Sequence, residues 1–147
     1  MASIERQRET LRGSPHISEP WPAYKGRKHA TVGDVIALNV IEAVHALPIR
    51  CIITPTRSGN TPRSMSRFKP ACWIFAFTPH AFIHKFLTLS YGVRSFLLEP
   101  PETQEPEGIM AALNARGLAR PGDTVIITEG VSSGQTGWTN SLKILSL

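Results

Sequence analysis

Four short apolar runs constrain this sequence more than any other feature in it. They are Cys51-Ile52-Ile53, Trp73–Phe77, Val93–Leu98 and Thr124–Thr128. Each is short for a helix and too continuously apolar for a strand with one wet face. Strands buried on both faces read this way. The segments between them carry helix signals. Val32, Val35, Ile36, Val40, Ile41, Val44 and Leu47 recur at three- and four-residue steps, which makes one apolar helical face. Thr31 with Asp34 resembles a capping box at its start, and Pro48 ends it. A second helix is expected from Asn60 to about Phe68. A third opens at Thr78-Pro79, an N-cap followed by proline at the first helical position. A fourth runs from about Glu107 to Arg116, with Gly117 as its C′ residue. Leu142 to Leu147 alternates apolar and polar residues and reads as a last strand. Strands alternating with helices imply an α/β layered sheet with right-handed crossovers.

The chain has 147 residues, one domain's worth. Residues 1–28 read as a tail, broken by Gly13, Pro15, Pro20, Pro22 and Gly26, with a short helix at most around Ile4–Leu11. The domain is expected over 29–147. No apolar run is long enough to span a bilayer, and no apolar stretch follows Met1, so no membrane contact is expected and the cytoplasm is the expected location. Cys51 and Cys72 lack CxxC spacing and read as buried free thiols.

The net charge is +5, and its distribution is more informative than its total. No Asp or Glu occurs from Ala43 to Leu98, a stretch that carries Arg50, Arg57, Arg63, Arg67, Lys69, Lys85 and Arg94. Acids then bunch at Glu99, Glu102, Glu105 and Glu107. A one-signed stretch attracts anions, or it is a solvated basic face. No nucleic-acid-binding motif accompanies it, so nucleic acid is not an expected partner.

Two loops have the chemistry to hold an anion. Thr54 to Arg63 follows the first strand and enters a helix. Gly59 lets the backbone approach a ligand, and the helix start presents unpaired N–H groups where the dipole favours negative charge. Thr56, Ser58 and Thr61 add hydroxyls, and Arg57 adds a cation. The same residues also suit a Ser/Thr-capped helix start without a ligand. The loop lacks the GxxxxGK[ST] pattern. Thr128 to Asn140 follows the fourth strand, with Gly130, Gly134, Gly137 and Trp138. It reads as a loop that closes over something, or as a long hairpin connection. His80 and His84 share a helical face, but no nearby acid completes a metal site.

Several of these segments resemble the C-terminal α/β domain of pyruvate kinases. Thr56-Arg57-Ser58-Gly59-Asn60-Thr61-Pro62-Arg63 is similar to the family's T-x-S-G-x-[ST] effector loop. Ser66-Arg67-Phe68-Lys69-Pro70 follows it as SRYRP does there, and Ile74–Thr78 is the apolar strand ending in Thr. Ser90-Tyr91-Gly92-Val93 resembles the family's W-G-V. Gly117 through Val125 is similar to G-x-x-x-x-G-D-x-V, and Gly130–Asn140 resembles the last loop, which ends in T-N. Together these cover roughly residues 31–147.

The resemblance implies a three-layer α/β/α domain with a five-stranded mixed sheet, order 3-2-1-4-5, the last strand antiparallel. It implies a regulatory domain for a small phosphorylated effector, held by Thr56, Arg57, Ser58, Gly59, Asn60 and Thr61 and by Gly130, Ser133, Gly134, Gly137, Trp138 and Thr139. The first and fourth strands would sit at the topological switch point, where ligands of open α/β sheets bind. The segment Pro100–Gly108 is short, acidic and Pro-rich, where bisphosphate-regulated members place a basic or aromatic residue, so a monophosphate fits better. The family's catalytic barrel, with its Mg²⁺, K⁺ and phosphoenolpyruvate residues, has no matching segment here, although Ile4–Ser14 is faintly similar to the barrel's last helix. No cofactor is therefore expected in this chain, and the chain alone is expected to be inactive as a kinase. Pairing of terminal strands across a two-fold axis implies a homodimer through Ser141–Leu147, and a catalytic barrel is a further possible partner. A docking module with an empty loop, a piece of a longer pyruvate kinase, and an independent enzyme using the Gly-rich loops on a phosphorylated substrate are the other readings.

Overall fold

The apolar runs are strands, and they lie side by side. The computed structural model describes residues 30–100, 105–130 and 139–147. Along the chain it places α1 (Val32–Ala46), β1 (Ile49–Pro55), α2 (Asn60–Ser66), β2 (Trp73–Thr78), α3 (Ala81–Leu87), β3 (Val93–Leu97), α4 (Pro106–Ala115), β4 (Thr124–Glu129) and β5 (Ser141–Ser146). The sheet order is β3-β2-β1-β4-β5, and β4–β5 is its antiparallel pair. Both the order and the mixed direction are those implied by the family resemblance. The tail expected at 1–28 and its helix at Ile4–Leu11 lie outside the described residues.

Side chains alternate across a strand, so each run feeds two cores. Cys51, Ile53, Phe75, Phe77, Val125 and Ile127 meet Ile109, Ala112 and Leu113 of α4 on one side. The alternate set, Ile52, Ile74, Ala76 and Ile126, is equally sealed from solvent on the other. There α2 and α3 pack on β2 and β3, and α1 packs on α2. The result is three layers, and it explains why the strands show continuous apolar runs rather than an apolar–polar alternation. Burying a large apolar side chain contributes roughly 1.5–3 kcal/mol, so the central strands carry much of the fold.

Local signals hold at several element ends. Gly117 has φ 61°, and the Leu118 and Gly117 amides donate to the carbonyls of Leu113 and Asn114, which closes α4 in a Schellman arrangement. Pro121-Gly122 turns the chain into β4, with the Asp123 amide donating to the Arg120 carbonyl and Gly122 at φ 91°. The carbonyl and amide of Leu147 bond to Gly122 and Asp123, tying the end of the last strand to that turn.

Other expectations are corrected. Thr78 does not cap α3. It stays in the sheet opposite Leu97, its carbonyl accepts from Leu98, and its hydroxyl accepts the His80 amide, so His80 becomes the N-cap. The helix therefore starts two residues later than its Thr-Pro signal suggests. Helix α2 ends at Ser66 rather than Phe68. The apolar face of α1 is only partly used: Ala37, Val40 and Ile41 are buried, while Val32, Val35 and Leu47 stay exposed.

Cys51 and Cys72 are buried and form no disulfide. Burial, with the neighbouring Cys72 and Asp123 adding to it against an opposing effect of Arg50, pushes the Cys51 thiol up to about 12. His84 Nδ1 lies 2.9 Å from the Ser95 hydroxyl. Among the described residues no three His, Cys, Asp or Glu side chains converge on a metal-sized site, and no helix is long and apolar enough to cross a membrane.

Candidate functional site

The C-terminal ends of β1 and β4 are neighbours in the sheet, and the two anion-suited loops leave from them. β1 ends at Pro55, and the Thr56 amide still donates to the Phe77 carbonyl of β2 at 2.8 Å. The chain then turns sharply. The buried Thr56 side-chain oxygen accepts the Gly59 amide at 2.9 Å, which closes the turn on itself. Ser58 Oγ lies 3.4 Å from the Asn60 amide. Gly59 sits at φ 77°, ψ 2° and hands the chain to α2.

Gly59 is required there for two separate reasons. Its positive φ disfavours any residue with a Cβ. An added Cβ would also stand 3.3 Å from Ile83 Cγ2 and 3.3 Å from Leu87 Cδ2, so α3 packs directly against the turn. The support that α3 lends to the loop is not visible in the loop's own sequence. Its signal is the Ile83–Leu87 spacing of i, i+4, which puts two apolar side chains on one helical face.

The second loop reaches the first through Thr139. Its side chain is buried, and its hydroxyl lies 2.5 Å from the Thr61 hydroxyl on the first turn of α2. Gly130 follows β4 and is exposed, and the Asn140 amide donates to the Glu129 carbonyl at 3.1 Å where the chain rejoins the sheet. Ser133, Gly134, Gly137 and Trp138 lie outside the described residues. The structure thus brings Thr56, Ser58, Gly59, Asn60 and Thr61 together on one turn and joins Thr139 to them.

The donors do not all face outward. The Gly59 amide is engaged by Thr56, and the Thr61 hydroxyl is shared with Thr139. Pro62 has no N–H, which removes one first-turn donor. Arg57 and Asn60 are exposed at the rim. Glu129, the last residue of β4, forms an ion pair with Lys143 at 2.9 Å on the neighbouring strand. Glu129 was not among the expected site residues. Its Oε1 is buried without a hydrogen-bond partner, as is the Thr54 hydroxyl on β1.

The arrangement is a hydroxyl-rich turn, held by two neighbouring elements, at the switch point of an open sheet. Ligands with negative charge are the kind such a place accommodates.

Comparison with known proteins gives the same family along most of the chain. Residues 34–145 match the family model described as pyruvate kinase, alpha/beta domain. A pyruvate kinase of Thermococcus litoralis is 38% identical over 120 residues, covering 82% of this chain and 25% of that protein. One from Geobacillus stearothermophilus is 34% identical over 118 residues, covering 78% of this chain and 20% of that protein. A crystal structure of a pyruvate kinase from Cryptosporidium parvum superposes with a TM-score of 0.70 at 27% identity, over 95% of this chain and 26% of that one. The chain spans about a quarter or less of the length of these relatives. The sheet order, the turn at Gly59 and these matches agree: the chain belongs to the pyruvate kinase family, and residues 34–145 are its alpha/beta domain.

Proposed function

We propose that the chain is a pyruvate kinase regulatory domain that binds the phosphate of a small phosphorylated metabolite between Thr56–Thr61 and the segment after β4. The observation that supports this most directly is the Thr61–Thr139 contact, which joins the two loops at the ends of adjacent parallel strands. Hydroxyls and amides around Ser58–Thr61 would hold the phosphate oxygens, and Arg57 would add charge. Charge-assisted bonds of this kind contribute about 1.5–3 kcal/mol each. The exposed acids Glu99, Glu105 and Glu107 suit a single phosphate better than a bisphosphate. On this reading phosphoryl transfer, with its Mg²⁺ and K⁺, belongs to a catalytic barrel outside these residues. The chain alone is inactive, and it works in the cytoplasm.

Calorimetry with sugar monophosphates, bisphosphates and inorganic sulfate tests the reading, on the chain and on Thr61→Glu. The carboxylate would occupy the phosphate position, and a negative side chain on the first turn of a helix is tolerated by the fold. Loss of binding by a protein that stays folded, its melting temperature lowered only by the loss of the Thr61–Thr139 bond, is the expected result. Equal affinities in the two proteins would place the ligand elsewhere.

A second reading rests on β5. Among the described residues it pairs with β4 alone, and Ile144 and Leu145 are exposed along it. An apolar edge strand of this kind invites pairing with a second copy. A domain that only dimerises, with an empty loop, would bind none of the phosphate probes.

A further inference from the structure

The face formed by α2 and α3 away from the sheet carries four large apolar side chains in the open. Phe82 is 76% exposed, Leu89 85%, Tyr91 53% and Phe86 37%. The aromatic ones make ring and cation contacts. The rings of Phe82 and Phe86 are nearly parallel, with centroids 6.2 Å apart. Arg63 of α2 lays its guanidinium 4.8 Å from the centre of the Phe86 ring. Lys69 holds its ammonium 5.7 Å from the Tyr91 ring, and the Tyr91 carbonyl accepts the Ser66 hydroxyl at 2.7 Å. Large apolar side chains grouped in the open on one stretch of surface commonly mark an interaction site.

The patch lies wholly within the stretch that lacks acids. Arg63, Arg67, Lys69 and Lys85 are exposed on these elements, and no Asp or Glu occurs between Ala43 and Leu98. We propose that this α2–α3 face docks a protein segment of acidic character that carries apolar anchors. Phe82, Phe86 and Leu89 receive the anchors, and Arg63, Arg67, Lys69 and Lys85 meet the acids around them. Exposed aromatics with arginine at the contact are the residues that concentrate binding energy in protein interfaces.

Charge decides against a second copy, and ring geometry against nucleic acid. A second copy placed symmetrically on this face would bring the same cations together, which repel. Single-stranded nucleic acid needs free ring faces on which bases stack. Here Arg63 already covers Phe86, and the two phenylalanines stand too close for a base to enter between them.

The test is titration of the isotope-labelled 147-residue chain with three probes, followed by amide resonances. The probes are a synthetic peptide combining Glu with Leu anchors, the same peptide with Lys for Glu, and a single-stranded uridine oligonucleotide. The acidic peptide should bind saturably and shift the amides of Arg63, Phe82, Phe86 and Leu89. Its affinity should fall with added salt and be about tenfold weaker in the double variant Phe82→Ser, Phe86→Ser. That variant should melt like the wild type, because both rings are exposed. The proposal is overturned by equal affinity of the double variant, by equal binding of the Lys peptide, or by shifts confined to other elements. Tighter binding of the oligonucleotide at these residues would also overturn it, as would a dimer that only the double variant dissolves.

Discussion

The side-chain hydroxyls of Thr61 and Thr139 stand 2.5 Å apart although 78 positions separate them in the chain. One belongs to the helix that follows β1, the other to the segment that leads into β5. Their contact couples the two loops that the proposed ligand would bridge, so the state of one loop bears on the other.

Thr61→Val and Thr139→Val should each destabilise the fold, with the single losses partly redundant. A hydrogen bond between two side chains contributes about 0.5–1.5 kcal/mol net. The double-mutant cycle from urea denaturation should return a coupling of that size. Purely additive losses would show that the hydroxyls do not share a bond in solution.

Gly59→Ala and Gly117→Ala should separate backbone conformation from packing. Both positions have positive φ, 77° and 61°, and a left-handed alanine costs roughly 1–2 kcal/mol at either. Only Gly59 has neighbours to meet: Ile83 and Leu87 at 3.3 Å, against nothing within 4 Å of Gly117. Crowding adds about 1 kcal/mol at Gly59. Urea midpoints at constant slope should therefore fall further for Gly59→Ala. Equal losses would mean that α3 gives way freely.

Stability should fall at alkaline pH in a way that depends on Cys51. Its thiol is raised from 9.0 to about 12 in the folded chain. Below pH 9 the group is protonated in both states and contributes no pH dependence. Above 9 the unfolded chain releases the proton and the folded one keeps it, which favours unfolding by up to about 1.4 kcal/mol per pH unit. Comparing wild type with Cys51→Ala from pH 8 to 10 isolates this slope from tyrosine and lysine titration. Parallel curves would contradict the assignment.

Light scattering at micromolar concentration should give twice the chain mass, and Ile144→Glu should give the monomer. The exposed β5 edge is the basis of this expectation. A monomeric wild type would refute it.

Which features were legible in the sequence follows the range of the interactions that make them. The central strands were readable because burial on both faces writes a continuous apolar run into a few neighbouring residues. Gly117 was readable as a cap for the same reason, since the Schellman bonds span only Leu113 to Leu118. The start of α3 was misread. Its Thr-Pro signal is local, while Thr78 is claimed by β3 across the sheet. Strand order came from the family resemblance alone, as apolar runs do not say which strand lies beside which. At the site, the turn residues were visible as types, but the engagement of the Gly59 amide and the role of Ile83 and Leu87 depend on three-dimensional neighbours. The exposure of Phe82 and Phe86 was equally hidden, because the sequence does not say which neighbours cover a helical face.

The position of β1 between β2 and β4 has a consequence for how the chain is made. As synthesis proceeds, β1, β2 and β3 leave the ribosome first and can pair, with α2 and α3 as crossovers. Throughout that time the backbone edge of β1 that pairs with Val125–Ile127 has no strand beside it. It waits for Thr124–Glu129, and such an open edge of unpaired N–H and C=O groups is a template for any strand that arrives first. Closing so long a loop also slows folding. A nascent chain stalled before β4, or a product ending there, would thus be a client for chaperones, and the arrival of β4 completes the sheet and assembles both loops of the site in one step.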